Sequence, residues 1–175
     1  MFKSLFKNLF HNDDAGFFRQ VPLNIHGKLY TSPMPFGAYD RGSRLFAIYK
    51  KNKIEHVFVL VTDTELKKKA RRNLLDYYAK KGISYTRYTI KDLQAPSIDV
   101  ITPLVQEAVE RLKTQRVAIH CHAGVGRTAT SVCCIVIAVE HFTADQAIDY
   151  VCQNMSVHIT PEQINVIRKF ESMFI

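Results

Sequence analysis

His120-Cys121-His122-Ala123-Gly124-Val125-Gly126-Arg127-Thr128 stands between a short apolar run, Val117-Ala118-Ile119, and a long apolar segment, Thr128 to His141. The run fits a buried strand, and the segment is long enough for a buried helix. Gly124 and Gly126 let the backbone between them turn tightly and adopt positive φ. Successive loop amides can then converge on one anion, helped by the positive end of the following helix. Arg127 adds a planar fork able to hold two oxygens of a phosphate. Cys121 sits where amides, helix end and guanidinium favour its thiolate. The stretch predicts a phosphate cradle with a nucleophile at its base.

Working outward, strands and helices alternate. Strands are expected at Ile25 to Tyr30, His56 to Val61 and Tyr85 to Ile90, and helices at Tyr39 to Asn52 and from Thr64 to Gly82. Gly82 is a typical helix stop. Ile101, Leu104, Val105, Ala108, Val109 and Leu112 form an apolar stripe at helical spacing, just before the central strand. The segment from Thr128 is rich in β-branched residues, yet its length and position favour a helix. Thr143-Ala144-Asp145-Gln146 and Thr160-Pro161-Glu162-Gln163 read as capping boxes, the second with proline at the first helical position. Helices should follow them, ending near Asn154 and Phe174. The pattern argues a single α/β domain, with a central, mostly parallel sheet flanked by helices. Residues 17–175 are expected to form it, after an N-terminal amphipathic segment at 1–16.

The 175-residue chain is one domain by length and is long enough to bury a core. No apolar run reaches the length of a membrane span, and the N-terminus lacks the pattern of a secretory signal. Cys121, Cys133, Cys134 and Cys152 show neither disulfide-scaffold density nor zinc-type pairing. The expectation is a reduced, cytoplasmic protein, with peripheral membrane association as an addition. The net charge of +8 is concentrated between Arg41 and Lys91 and is densest at Lys67-Lys68-Lys69-Ala70-Arg71-Arg72. That block reads either as a solvated helix face or as a field attracting anionic partners. No nucleic acid is expected, because no recognised reading module accompanies the charge. Phe2, Leu5, Phe6, Leu9 and Phe10 make an amphipathic stripe opposite Lys3 and Lys7. It either docks on the domain's own core or anchors residues 1–10 at an anionic membrane surface.

His120-Cys121, five residues, then Arg127-Thr128 resembles the signature loop of the cysteine-dependent protein-tyrosine phosphatase superfamily. The short chain and the Asp92 region resemble its dual-specificity branch, loosely over residues 21–170. The resemblance implies two-step hydrolysis of phosphomonoesters through a phosphocysteine on Cys121, with no cofactor or metal. His122, Ala123, Gly124, Val125, Gly126 and Arg127 would bind the phosphate, and His120 would support the loop. Thr128 would hydrogen-bond the sulfur, although it could equally cap the helix. A proton is needed for the leaving oxygen. Asp92 is the candidate acid, because it sits on a loop with Pro96 four residues on. Asp99 is the fallback, and reads better as a helix-start residue; Asp63 reads as a cap or turn. Without tryptophan, the chain lacks the Trp-Pro-Asp acid loop of the larger tyrosine-specific enzymes. Gln163 could position the hydrolytic water, though its capping role suffices alone.

His120 and His122 also raise a metal site, but adjacent residues seldom supply converging ligands to one tetrahedral ion. The expected substrate is a phosphoprotein, carrying phosphotyrosine, phosphoserine or phosphothreonine. The alternatives are a phosphoinositide phosphatase at a membrane surface and an inactive phosphate-binding module. Some lipid phosphatases of the superfamily carry lysines inside the loop, where this chain has His122 and Val125.

Overall fold

The strand leading into Cys121 is the middle of the sheet. The computed structural model describes residues 17–174, so the expected amphipathic segment at 1–16 lies outside the described residues. β5 (Arg116–His120) sits between β2 (Lys28–Ser32) and β3 (His56–Val59), parallel to both. β4 (Ser84–Arg87) extends the parallel run beyond β3, and β1 (Arg19–Val21) adds an antiparallel edge beside β2. β3 is buried throughout and β5 at all but its first residue, as strands covered by helices on both faces require.

Two layers cover this mixed sheet. On one face lie α1 (Leu45–Lys51) and α3 (Leu74–Lys80). Tyr49 of α1 reaches Ser32 of β2 (2.6 Å between hydroxyl oxygens), and Tyr78 of α3 reaches His120 of β5 (3.0 Å). Ser32 and His120 are register partners, so the pleat turns them to the same side. The other layer centres on α5 (Arg127–Glu140), packed by α4 (Ile98–Leu112), α6 (Ala144–Asn154) and α7 (Pro161–Phe174). α5 is buried continuously from Arg127 to Ile137. That packing overrides the modest helix propensity of its Val, Ile and Thr residues.

Several sequence expectations shift. The strand expected from Ile25 falls three residues later, and β1 was not foreseen. The expected helix from Tyr39 is interrupted, because Gly42 (φ 69°) and Ser43 (φ 53°) are left-handed. A 3-10 turn occupies Arg41–Ser43, and α1 begins at Leu45. The single helix expected from Thr64 to Gly82 is two. α2 (Asp63–Lys69) ends because Ala70 is extended (ψ 131°), and α3 begins under an Asn73 side-chain cap. Both capping boxes are present: Thr143 with Gln146 and Thr160 with Gln163.

Candidate active site

Cys121 follows β5 directly and is almost fully buried, 3% exposed. The Gly124 N–H donates to its Sγ over 3.2 Å. Gly124 is left-handed at φ 81°, and a Cβ there would lie 2.6 Å from the Ser32 carbonyl oxygen. Only glycine lets the loop turn back over its own sulfur while resting on the end of β2.

Four of the loop carbonyls are tied to the surrounding scaffold. Cys121 O lies 3.1 Å from His120 Nδ1, and His122 O accepts from Met34 N. Val125 O accepts from His158 N, and Gly126 O from Thr130 N in the first turn of α5. In a trans peptide the carbonyl and the following N–H point oppositely. Anchoring these oxygens therefore turns the amides of His122, Ala123, Gly126 and Arg127 away from the scaffold, into the hollow of the loop. The start of α5 adds the positive end of its helix dipole.

Arg127 is 2% exposed, and its guanidinium is held by three residues. Its two terminal nitrogens make a bidentate pair with Glu65 of α2 at 2.8 and 2.9 Å. The nitrogen that bonds Glu65 Oε2 also donates to Ile90 O at 2.9 Å, and the other reaches Asp92 Oδ1 at 2.8 Å. Those four contacts use the four terminal hydrogens, which leaves the Nε–H. Burial alone would raise the Glu65 carboxyl, but hydrogen bonds from Arg127 and Thr62 outweigh it and bring it from 4.5 to about 2. The Arg127 guanidinium is pushed up, because its bonds to Glu65 and the nearby Cys121, Glu65 and Asp92 charges overcome desolvation.

Glu65 is the site residue that the sequence reading missed. Its signal was present: Thr62-Asp63-Thr64-Glu65 is a capping box, with Thr62 accepting from Glu65 N and Glu65 accepting from Thr62 N. The carboxylate that caps α2 thus also fixes Arg127.

Asp92 is half-exposed on the β4–α4 loop, bridged to Arg127 and, through Oδ2, to Lys69 Nζ at 3.3 Å. Asp99 lies in the first turn of α4, and Asp63 starts α2 in an ion pair with Arg87. Neither contacts Arg127. His120 is fully buried, with Nε2 3.0 Å from the Tyr78 hydroxyl. Nδ1 donates to the Cys121 carbonyl, which in the neutral ring leaves Nε2 to accept from Tyr78. Burial drives the imidazole down from 6.5 to about 4. His122 is lowered by burial and by neighbouring Lys69. Its ring packs edge-on against Tyr39 at 5.1 Å, and its Nε2 is buried without a partner.

Thr128 does not cap the helix. Gly126 occupies the cap position, and Thr128 lies inside the first turn, its buried Oγ1 lacking a partner. Gln163 is 1% exposed; Oε1 accepts from Thr160 N, and Nε2 donates to Gln94 O in the Asp92 loop. One Nε2 hydrogen remains beyond these two bonds. The site thus gathers Cys121, the loop amides, Arg127 and Asp92 in one place, with Asp99 and Asp63 outside it.

Residues 40–141 match the sequence family described as "Polymorphic toxin system, DSP-PTPase phosphatase". Cyclin-dependent kinase inhibitor 3 of Mus musculus is 35% identical over 97 residues, covering 55% of this chain and 46% of that protein. An Arabidopsis thaliana protein is 27% identical over 153 residues, covering 79% of this chain and 24% of that one. It is named phosphatidylinositol 3,4,5-trisphosphate 3-phosphatase and protein-tyrosine-phosphatase PTEN2B. The chain therefore spans less than half the length of these two relatives. A crystal structure of kinase associated phosphatase, with serine substituted for its catalytic-site cysteine, superposes with a TM-score of 0.80. That match is 23% identical and covers 93% of this chain and 98% of the other, a likeness of fold.

Proposed function

The chain belongs to the DSP-PTPase phosphatase family, and on that premise we propose that it hydrolyses phosphate monoesters on proteins through a phosphocysteine at Cys121. The observation that carries the reading is the outward anchoring of the loop carbonyls around Cys121, which leaves a ring of N–H groups for a phosphate's oxygens. Cys121 Sγ, as thiolate, attacks phosphorus while the ester P–O bond breaks. Asp92, in its protonated form, gives the leaving oxygen its proton. A water then attacks the phosphocysteine and Asp92 takes its proton. The S–P bond breaks, inorganic phosphate leaves and the thiolate returns. Thr128 Oγ1, buried and unpartnered, supplies a hydrogen bond to the sulfur as leaving group. The remaining Nε2 hydrogen of Gln163 is the group that holds the attacking water.

Arg127 must exchange one partner for this to happen. The hydrogen now given to Asp92 is needed, with the Nε–H, to grip two phosphate oxygens side by side. Phosphate entry thus releases the Asp92 carboxyl from the guanidinium, freeing it to face the leaving oxygen.

The phosphoinositide reading keeps one observation in its favour. Lys69 supplies a lysine beside the loop from α2, where the loop's own sequence has none, in keeping with PTEN2B among the relatives. The deciding experiment is phosphate release from phosphotyrosyl peptide, phosphothreonyl peptide and phosphoinositide at matched concentration, with chelator present throughout. Turnover of peptide that disappears in Cys121→Ser and Arg127→Ala supports the proposal. Lipid-only turnover transfers it to the second reading. Phosphopeptide binding without phosphate release would leave an inactive binding module.

A further inference from the structure

The basic block that stood out in the sequence does not form one solvated helix face. Its break at Ala70 opens a cleft of about 430 Å³ between α2 and α3, lined in part by Leu66, Lys67, Ala70, Arg71, Arg72 and Leu74. The floor and rim differ in character. Leu74 is buried and Leu66 and Ala70 are half-buried, whereas Lys67, Arg71 and Arg72 stand exposed above them. The side chains of Lys67 and Arg71 enter no ion pair or hydrogen bond among the described residues. Arg72 is held at the edge by stacking, its guanidinium carbon 5.3 Å from the Phe36 ring centroid and 5.8 Å from that of Tyr77. The one acid on the lining, Asp63, is already paired with Arg87.

From this geometry we propose that the α2–α3 cleft is a docking site for an acidic peptide segment of a protein partner, one that carries an apolar side chain between carboxylates. Charge complementarity selects the partner's sign, since three cations surround the opening and the single acid is neutralised. Shape selects a peptide over a membrane surface. The apolar floor is recessed beneath the cations, so a flat bilayer would meet charge alone, while a protruding leucine reaches the floor. A free phosphate would use the rim and leave the floor uncovered.

The cleft also has a mechanical link to catalysis. Glu65 and Lys69 are one turn apart on the side of α2 facing Arg127 and Asp92, while Leu66 and Ala70, one residue on in each case, face the cleft. Arg71 N also donates to Phe36 O, tying the cleft's wall to the β2–α1 connection. A protein docked here rests on the same helix that holds Arg127 and Asp92.

The probe is a fluorescent Glu-Asp-Leu-Leu-Asp-Glu peptide, titrated against the full chain and followed by anisotropy. Saturable binding is expected, weakened by about tenfold or more in Lys67→Glu/Arg71→Glu. An equal charge change elsewhere, Lys28→Glu/Lys169→Glu, is expected to leave binding within about twofold, and replacing both peptide leucines by alanine should weaken it about tenfold. The cleft variant should keep its melting temperature and its turnover of a small aryl phosphate, so the readout is independent of the Cys121 chemistry. Equal losses in the two double variants, indifference to the leucines, or binding of equimolar phosphatidylcholine–phosphatidylserine vesicles without peptide binding would each overturn the proposal.

Discussion

A single carboxylate, Glu65, grips both terminal nitrogens of the Arg127 guanidinium. It is almost buried, takes two hydrogen bonds from the guanidinium, and is itself fixed by the Thr62 N–H and hydroxyl. Glu65→Gln should leave the fold intact but let the guanidinium rotate, lowering kcat/KM for an aryl phosphate by about 10²-fold. The carboxyl is depressed from 4.5 to about 2, so its stabilisation is complete above pH 4.5 and lost as pH falls toward 2. Melting temperatures in that window should therefore fall more steeply for the wild type than for Glu65→Gln. Asp92 is tested by the leaving group. Asp92→Asn should slow a phosphotyrosyl peptide by about 10²–10⁴-fold, yet slow a nitrophenyl phosphate much less, because nitrophenolate departs without a proton. Equal slowing of both substrates would remove Asp92 from the acid role.

Among the elements, the loop from Cys121 to Arg127 was the most legible in sequence. Its strand, glycines and helix are local features, and local features are what spacing reports. The position of Asp92 beside the loop was legible for the same reason, since it lies just beyond a β-rich run and close to Pro96. The capping box of Glu65 was legible but its grip on Arg127 was not, and neither were the bonds of Tyr78 to His120 and of Ser32 to Tyr49. Each joins residues far apart in the chain that linear spacing does not pair. The split of α2 from α3 escaped because charge periodicity continues through Ala70 while the backbone does not. The two loop glycines should differ under substitution. Gly124→Ala meets the Ser32 carbonyl oxygen at 2.6 Å and forces a side chain into left-handed backbone, costing about 2 kcal/mol or more. Gly126→Ala meets only His158 O at 3.1 Å, in a backbone conformation that is not left-handed. Thermal denaturation of the two variants should rank Gly124→Ala well below Gly126→Ala, with activity following the same order.

For the molecule as a whole, two buried imidazoles set the acid limit of the fold. His56 and His120 are both driven from 6.5 to about 4, chiefly by burial, so the native state holds them neutral where the unfolded chain would protonate them. Between pH 6.5 and 4 the unfolded state binds more protons, and stability falls as pH falls, by up to ~1.4 kcal/mol per pH unit for each imidazole. Denaturant titrations across that range should show the slope, and His120→Asn should make it shallower. The architecture around Cys121 has a further consequence. The cradle is stitched at His122 to the stretch after β2, and at Val125 to the connection between α6 and α7, so it borrows its shape from both helical layers at once. Detaching either layer dismantles it. No partly melted form of this protein should remain catalytically competent, and in urea the inactivation curve should superimpose on the loss of helical signal.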